Sequence, residues 1–230
     1  MVAFSAAGAL VQGCLGIGFG LVAGPALVAI DANFAPGPLL LAGQVVGVRH
    51  ALMERAHTDR DAFRRCIIGL PVGLIAGIAT LGMVSDRTLA IVVGSVTAVA
   101  AALILAGARV TRTPRTDVAA GGATAFASVT AGLPGPPLVL NFADMTPSQM
   151  RGTSASYILV VAVAGVAGLA VAGEFGGDES MLTLRLLPGI AVGMVAARFA
   201  RPFLDRSWFR PAVLVIAMCG ALALVARQVL

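Results

Sequence analysis

The sequence predicts an all-α polytopic membrane protein built from two inverted repeats, with eight hydrophobic segments, the first and fifth of them broken, re-entrant helical hairpins. Three observations carry that expectation. Hydrophobic residues make up 58% of the 230 and charged residues only 12%, with a mean hydropathy of +0.94, the composition of a multi-span membrane chain rather than a soluble domain. The apolar residues fall in uncharged runs, most of them near the roughly 17–25 residues that cross a bilayer. Two of those runs are interrupted, in corresponding places of the two halves, by dense glycine and proline.

Segment one, Met1–Ile30, contains Gly13-Cys14-Leu15-Gly16-Ile17-Gly18-Phe19-Gly20-Leu21-Val22-Ala23-Gly24-Pro25. Glycine pays the largest backbone entropy cost in a helix and proline lacks the N–H that a helix interior uses, so the helix is expected to break there. In hydrocarbon a broken backbone persists only where protein buries it or where it lines a watery cavity. No basic residue precedes Arg49, so this segment lacks the charged start of a cleavable signal peptide and is expected to stay as structure. Segment two, Ala32–Val48, opens with Pro36; segments three and four are Cys66–Ser85 and Thr88–Ala108. Segment five, Val118–Ala143, carries the second interruption, Thr130-Ala131-Gly132-Leu133-Pro134-Gly135-Pro136-Pro137. Segment six is Gly152–Gly173, segment seven a short run, Leu186–Ala197, and segment eight Pro211–Ala226. The last two fall short of a span, and Arg185, Arg198, Arg210 and Arg227 are expected to extend them by snorkelling.

All 16 basic residues are arginine, and they gather where segments end. Arg49–Arg65, Arg109–Arg115 and Arg198–Arg210 form three arginine-rich loops, whereas the loop Glu174–Arg185 is acidic through Asp178 and Glu179. With eight full crossings, the first and last arginine loops would face opposite sides, against the bias that holds basic loops in the cytoplasm. A re-entrant segment five puts all three on the cytoplasmic side and the acidic loop outside. Aligning Gly24-Pro25 with Gly135-Pro136 brings Pro36 onto Pro147, Leu70-Pro71 near Leu187-Pro188, and Asp86-Arg87 near Asp205-Arg206. The halves are then residues 1–110 and 118–230, joined by a cytoplasmic linker over 111–117 within a single transmembrane domain. One hairpin and three crossings per half is an odd number, so the halves are oppositely oriented.

The residues around the first break, Gly16-Ile17-Gly18-Phe19-Gly20-Leu21-Val22-Ala23-Gly24-Pro25-Ala26-Leu27 followed by Pro36, resemble the N-terminal half of the TauE/SafE sulfite exporter family, the toluene sulfonate uptake permease superfamily. Ala131-Gly132-Leu133-Pro134-Gly135-Pro136-Pro137-Leu138-Val139-Leu140 and the downstream Met150-Arg151-Gly152-Thr153-Ser154 resemble its second half, with Pro134 and Pro136 where many members carry glycine. The resemblance implies a permease for small sulfur-containing anions such as sulfite, sulfoacetate or other organosulfonates.

The residues point to anions independently. Helices that begin at a break present free N–H groups and a dipole worth roughly half an elementary charge, both favouring a negative ligand. The substrate-binding candidates are therefore Gly18, Phe19, Gly20, Gly24 and Pro25 at the first break and Gly132, Pro134, Gly135 and Pro136 at the second. Gln44 joins them as an amide deep in segment two, and Arg151, Thr153 and Ser154 as a group just after the second hairpin. Arg151 is equally readable as an interfacial anchor. Ser128, Thr130, Asn141 and Tyr157 either face the same cavity or bond a neighbouring carbonyl.

No acidic residue is expected deep in a span, since Asp31 and Asp144 border breaks, so no carboxylate proton relay is visible. Cys14, Cys66 and Cys219 are scattered without metal-binding spacing, so no metal or cofactor is expected. A phosphate-binding loop is lacking, which excludes an ATP-driven pump within this chain. No serine-histidine-aspartate set or paired carboxylate supports an enzyme. The expected partners are the lipid bilayer of a bacterial inner membrane and a small anionic substrate, not nucleic acid. A coupling ion (H+ or Na+), a homodimer, transport of another small organic anion and an anion channel on the same fold stay open.

Overall fold

The two glycine-proline interruptions each split a hydrophobic segment in two. A computed structural model of the chain describes residues 1–16, 18–83, 85–204 and 209–229, with no strand among them. Segment one becomes α1 (Val2–Leu15) and α2 (Phe19–Ile30); α3 is Gly37–Met53, α4 Arg60–Leu81 and α5 Asp86–Leu105. Segment five becomes α6 (Pro114–Ala131) and a short α7 (Gly135–Asn141), followed by α8 (Pro147–Val171), α9 (Gly177–Leu204) and α10 (Phe209–Val229). Among the described residues, α4, α5, α8, α9 and α10 are long and apolar enough to cross a membrane.

Local chemistry sets the helix starts. The Asp59 carboxylate accepts the Asp61 and Ala62 N–H groups at the head of α4, and Ser85 caps α5. Thr113 and Thr146 form reciprocal caps with Thr116 and Gln149, each followed by a proline in the first turn of α6 and α8, where its missing N–H costs nothing. The helices then pair closely: α4 lies along α6 and α1 along α9, while α3 meets α8 and α5 meets α10. Glycines permit the tightest of these approaches. A Cβ on Gly73 would run into the Gly122 carbonyl, and one on Gly193 into that of Ala6. The outward face of α4 is left apolar, with Ile68, Val72 and Ile75 each about two-thirds exposed or more, as a lipid-facing surface requires.

Several expected boundaries are corrected. Segment seven is not a short run at Leu186–Ala197: α9 is 28 residues long, because exposed Arg185 and Arg198 ride on the helix instead of ending it. The acidic loop shrinks accordingly, and Asp178 and Glu179 stand in the first turn of α9, where the positive end of the helix dipole favours them. The first arginine loop shrinks as well, since Arg49 lies in α3 and Arg60, Arg64 and Arg65 in α4. Residues 114–117, placed by sequence in the linker, form the first turn of α6. The Asp205-Arg206 turn lies outside the described residues.

Candidate functional site

Both breaks are closed by glycines in conformations that L side chains rarely adopt. At the first, Gly16 has φ 84° and caps α1 by donating its N–H to the Gln12 carbonyl, and Gly18 has φ 122° at the head of α2. At the second, Gly132 has φ 67° and donates to the Ser128 carbonyl at 3.0 Å, while Leu133 N–H reaches Ala127 at 3.2 Å. The two breaks touch. A Cβ on Gly20 would lie 2.7 Å from the Gly132 carbonyl oxygen and 2.8 Å from Leu133 Cδ2, and one on Gly132 would lie 2.8 Å from Leu39 Cβ.

A cavity of about 40 Å³ opens where they meet. A water needs about 10–15 Å³ on this scale, so the space suits a compact ligand. Its wall runs from Gln12, Gly16 and Gly18–Leu21 across the α3 residues Gly43, Gln44 and Gly47 to Gly132–Pro136 and Ala155 of α8, with no charged side chain among the described residues. Gln12 organises this wall. Its Oε1 accepts the Phe19 N–H at 3.1 Å and its Nε2 donates to the Gly43 carbonyl at 2.8 Å, tying α1, α2 and α3 together.

Polar groups of α2 and α3 then meet at the space. The Gly20 and Leu21 N–H groups, in the first turn of α2, have no acceptor within their own helix. Gln44 is 7% exposed, and its Oε1 is buried without a hydrogen-bond partner. Such an orphan costs about 1–3 kcal/mol. Rotating the amide by half a turn would present its NH2 instead. The second break offers less, because Pro136 and Pro137 have no N–H and leave only that of Gly135 in the first three positions of α7.

The structure thus brings together Gly18, Phe19, Gly20, Gln44, Gly132, Pro134, Gly135 and Pro136. It leaves five expected residues outside the cavity. Gly24 and Pro25 lie inside α2, past its first turn; the break is fixed by Gly16 and Gly18, so Gly24-Pro25 and Gly135-Pro136 do not occupy equivalent places. Thr153 Oγ1 accepts the Asp59 N–H at 2.9 Å, and Ser154 is buried with Oγ unpartnered. Arg151 lines an adjoining cavity of about 300 Å³ that shares Gly18 and Leu21 with the central one. Its Nε and Nη2 each lie 3.1 Å from Glu54 Oε1. Of the other polar candidates, Ser128, Thr130 and Tyr157 donate to the carbonyls of Thr124, Phe126 and Gly121, the local role left open by the sequence.

Asp117 was missed. Its side chain is fully buried and accepts from Arg65 Nη1 at 3.1 Å, Arg112 Nε at 3.3 Å and Asn141 Nδ2 at 2.8 Å, in the first turn of α6. Arg112 also reaches Asp59 at 2.8 Å. The Ala62 N–H, together with Arg112, holds the Asp59 carboxyl below the usual carboxylate range despite partial burial. The network contains two arginines and two carboxylates, so its charges balance. It fixes the far end of α7 to α4 and α6.

Neither a curated protein nor a solved structure matches the chain. The model of the sulfite exporter TauE/SafE family matches residues 1–224, a span that takes in both breaks, the cavity between them and Arg151. A multi-pass helical protein with that match over nearly its whole length belongs to the TauE/SafE sulfite exporter family.

Proposed function

We propose that the protein is a secondary transporter of small sulfur-containing anions, sulfite and organosulfonates such as sulfoacetate, that works by alternating access around the two hairpin breaks. The observation that carries the reading is the central cavity, lined by no charged side chain among the described residues, where the first-turn N–H groups of α2 face Gln44, whose amide presents its NH2 when turned over. Membership of a family of sulfite exporters supplies the substrate class. An anion there gains oriented donors without a fixed cation to trap it, which suits a site that must also release.

The inverted-repeat architecture is part of this proposal. It is supported by the helix pairings: the contact of α4 with α6 has its counterpart in that of α9 with α1, and α3–α8 and α5–α10 pair equivalent helices. Rocking one half against the other would open the cavity first to one side and then to the other. The arginine-bearing ends face the cytoplasm of a bacterial cell in this reading, and the turn before α9 faces outward. Labelling of Gly176→Cys by an impermeant thiol reagent in intact cells, with Arg55→Cys protected, is the expected result; the reverse pattern overturns the orientation.

Purified protein in liposomes tests the transport reading. Sulfite uptake should saturate and should speed up when the vesicles are preloaded with sulfite, as alternating access requires. Ohmic conductance without counterflow would make the protein a channel, and no flux of sulfite or sulfoacetate would remove the substrate class.

A further inference from the structure

Arg151 and Glu54 meet beside the first break, although 97 residues separate them in sequence. The arginine stem lies against Gly16, whose hypothetical Cβ would be 3.2 Å from Arg151 Cδ, and Gly16 is part of the central wall. Arg151 also lines the larger cavity that shares Gly18 and Leu21 with the central one. Arg151 therefore stands at a doorway to the site rather than inside it.

The pair is built to exchange. Nε and Nη2 converge on the single oxygen Oε1 instead of forking onto both, so the bidentate geometry that makes arginine–carboxylate pairs strong is not used. The partners are 28% and 18% exposed, so water reaches both and neither charge would be stranded if they parted. Glu54 Oε2 has a second neighbour, His57 Nδ1 at 3.4 Å. The loop itself is held in place: Gly152 packs against the backbone of Glu54, His57 and Thr58, and Thr58 Oγ1 lies 3.1 Å from Ser156 Oγ. The carboxylate is thus kept at a fixed distance while the long arginine side chain can swing.

We propose that Glu54 is a positioning residue for anion transport, an internal carboxylate that competes with the substrate oxyanion for Arg151. Arg151 takes an entering anion by leaving Glu54, and Glu54 takes the guanidinium back when the anion moves on. The carboxylate thereby weakens first binding and speeds release. The inference rests on the anion-transport reading above.

Sulfite flux into proteoliposomes containing wild type, Glu54→Gln, Arg151→Gln or the double variant tests it. Glu54→Gln should lower KM and kcat together, each roughly three- to tenfold, as expected for removal of a partly solvated charged competitor. Arg151→Gln should raise KM, and Glu54→Gln should then change nothing further in the double variant. A merely structural Glu54 would lower kcat with KM unchanged or raised, or would act equally with Arg151 absent, and either result overturns the proposal. Should Glu54→Gln fail to reach the membrane, Glu54→Asp, which keeps the charge but shortens the reach, should lower KM by a smaller factor; an unchanged KM counts against the idea. If wild type carries no sulfite, the transport reading itself falls. If it does but the paired fall of KM and kcat is missing, only the role of Glu54 falls.

Discussion

The two breaks look alike in sequence and differ in what they offer a ligand. The first begins α2 with Phe19-Gly20-Leu21, three residues that all carry an N–H, of which Gln12 takes only the first. The second begins α7 with Gly135-Pro136-Pro137, which has one. The first is flanked by two glycines at positive φ and continues into a 12-residue helix; the second continues into seven residues whose far end is tied through Asn141 to Asp117. In the inverted-repeat reading proposed above, a duplicated device has been divided: one tip would supply donors, and the other would form a stiff wall against which the first closes.

The largest effect is expected where the tips touch. Gly20→Ala puts a Cβ 2.7 Å from the Gly132 carbonyl oxygen, a backbone atom that cannot rotate away, so the tips must separate. Transport of sulfite at equal expression should fall on the order of tenfold or more, since each tenfold corresponds to about 1.4 kcal/mol. Wild-type rates in this variant would break the comparison at its root, by showing that the contact of the two tips has no part in the site.

Gln44→Leu separates binding from folding. Removing an orphaned amide relieves a desolvation cost, whereas removing a ligand-facing group weakens the complex. The variant should therefore melt at the same temperature as wild type or higher without ligand, yet need roughly three- to tenfold more sulfite for the same thermal shift. A lower melting temperature with an unchanged sulfite requirement would identify Gln44 as a helix-packing residue.

These residues also show what the sequence could and could not reveal. The breaks were legible because glycine and proline act on the backbone where they stand, and Gln44 because an amide amid apolar residues needs a reason. The place of Gly24-Pro25 was misread: matching a dipeptide between halves is a statement about letters, while the break is set by the φ angles of Gly16 and Gly18, and Pro25 continues within α2. Asp117 was hidden by the rule that ends a segment at its first charge, since its partners Arg65 and Asn141 lie 52 and 24 residues away. Glu54 was hidden for the same reason, a loop carboxylate whose meaning depends on a distant arginine. The ends of α9 were placed too far inward because exposed arginines were read as boundaries rather than as residues on a continuing helix.

Pro136→Ala asks whether the second tip is poor in donors by construction. It adds one N–H at the cavity wall and keeps a small side chain. If the wall faces the anion, sulfite affinity should rise, by roughly threefold for a modest new hydrogen bond, while turnover slows as the site holds its ligand longer. An unchanged affinity would mean that the second tip only fills space, which would sharpen the division between the two breaks.

The smallest effect concerns the anchor of the stiff tip. Asp59 pairs with Arg112, which also holds Asp117 and through it the end of α7. Because the Ala62 N–H and Arg112 depress the Asp59 pKa below its ordinary 3.8, the unfolded chain takes up the proton first as pH falls. The stability that Asp59 contributes is therefore present at neutral pH and is lost only as pH drops through the depressed value, in a window below about pH 4. Asn in its place still caps α4 but cannot pair with Arg112. Asp59→Asn should thus melt about 1–3 °C below wild type at pH 7, the modest shift expected of a partly exposed pair. The difference should shrink towards zero as the pH is taken below 4, with sulfite affinity at pH 7 unchanged. A difference that stays constant across that range would mean that the charge of Asp59 is not what matters, and a weakened sulfite affinity would show that the anchor of the second hairpin reaches the binding site after all.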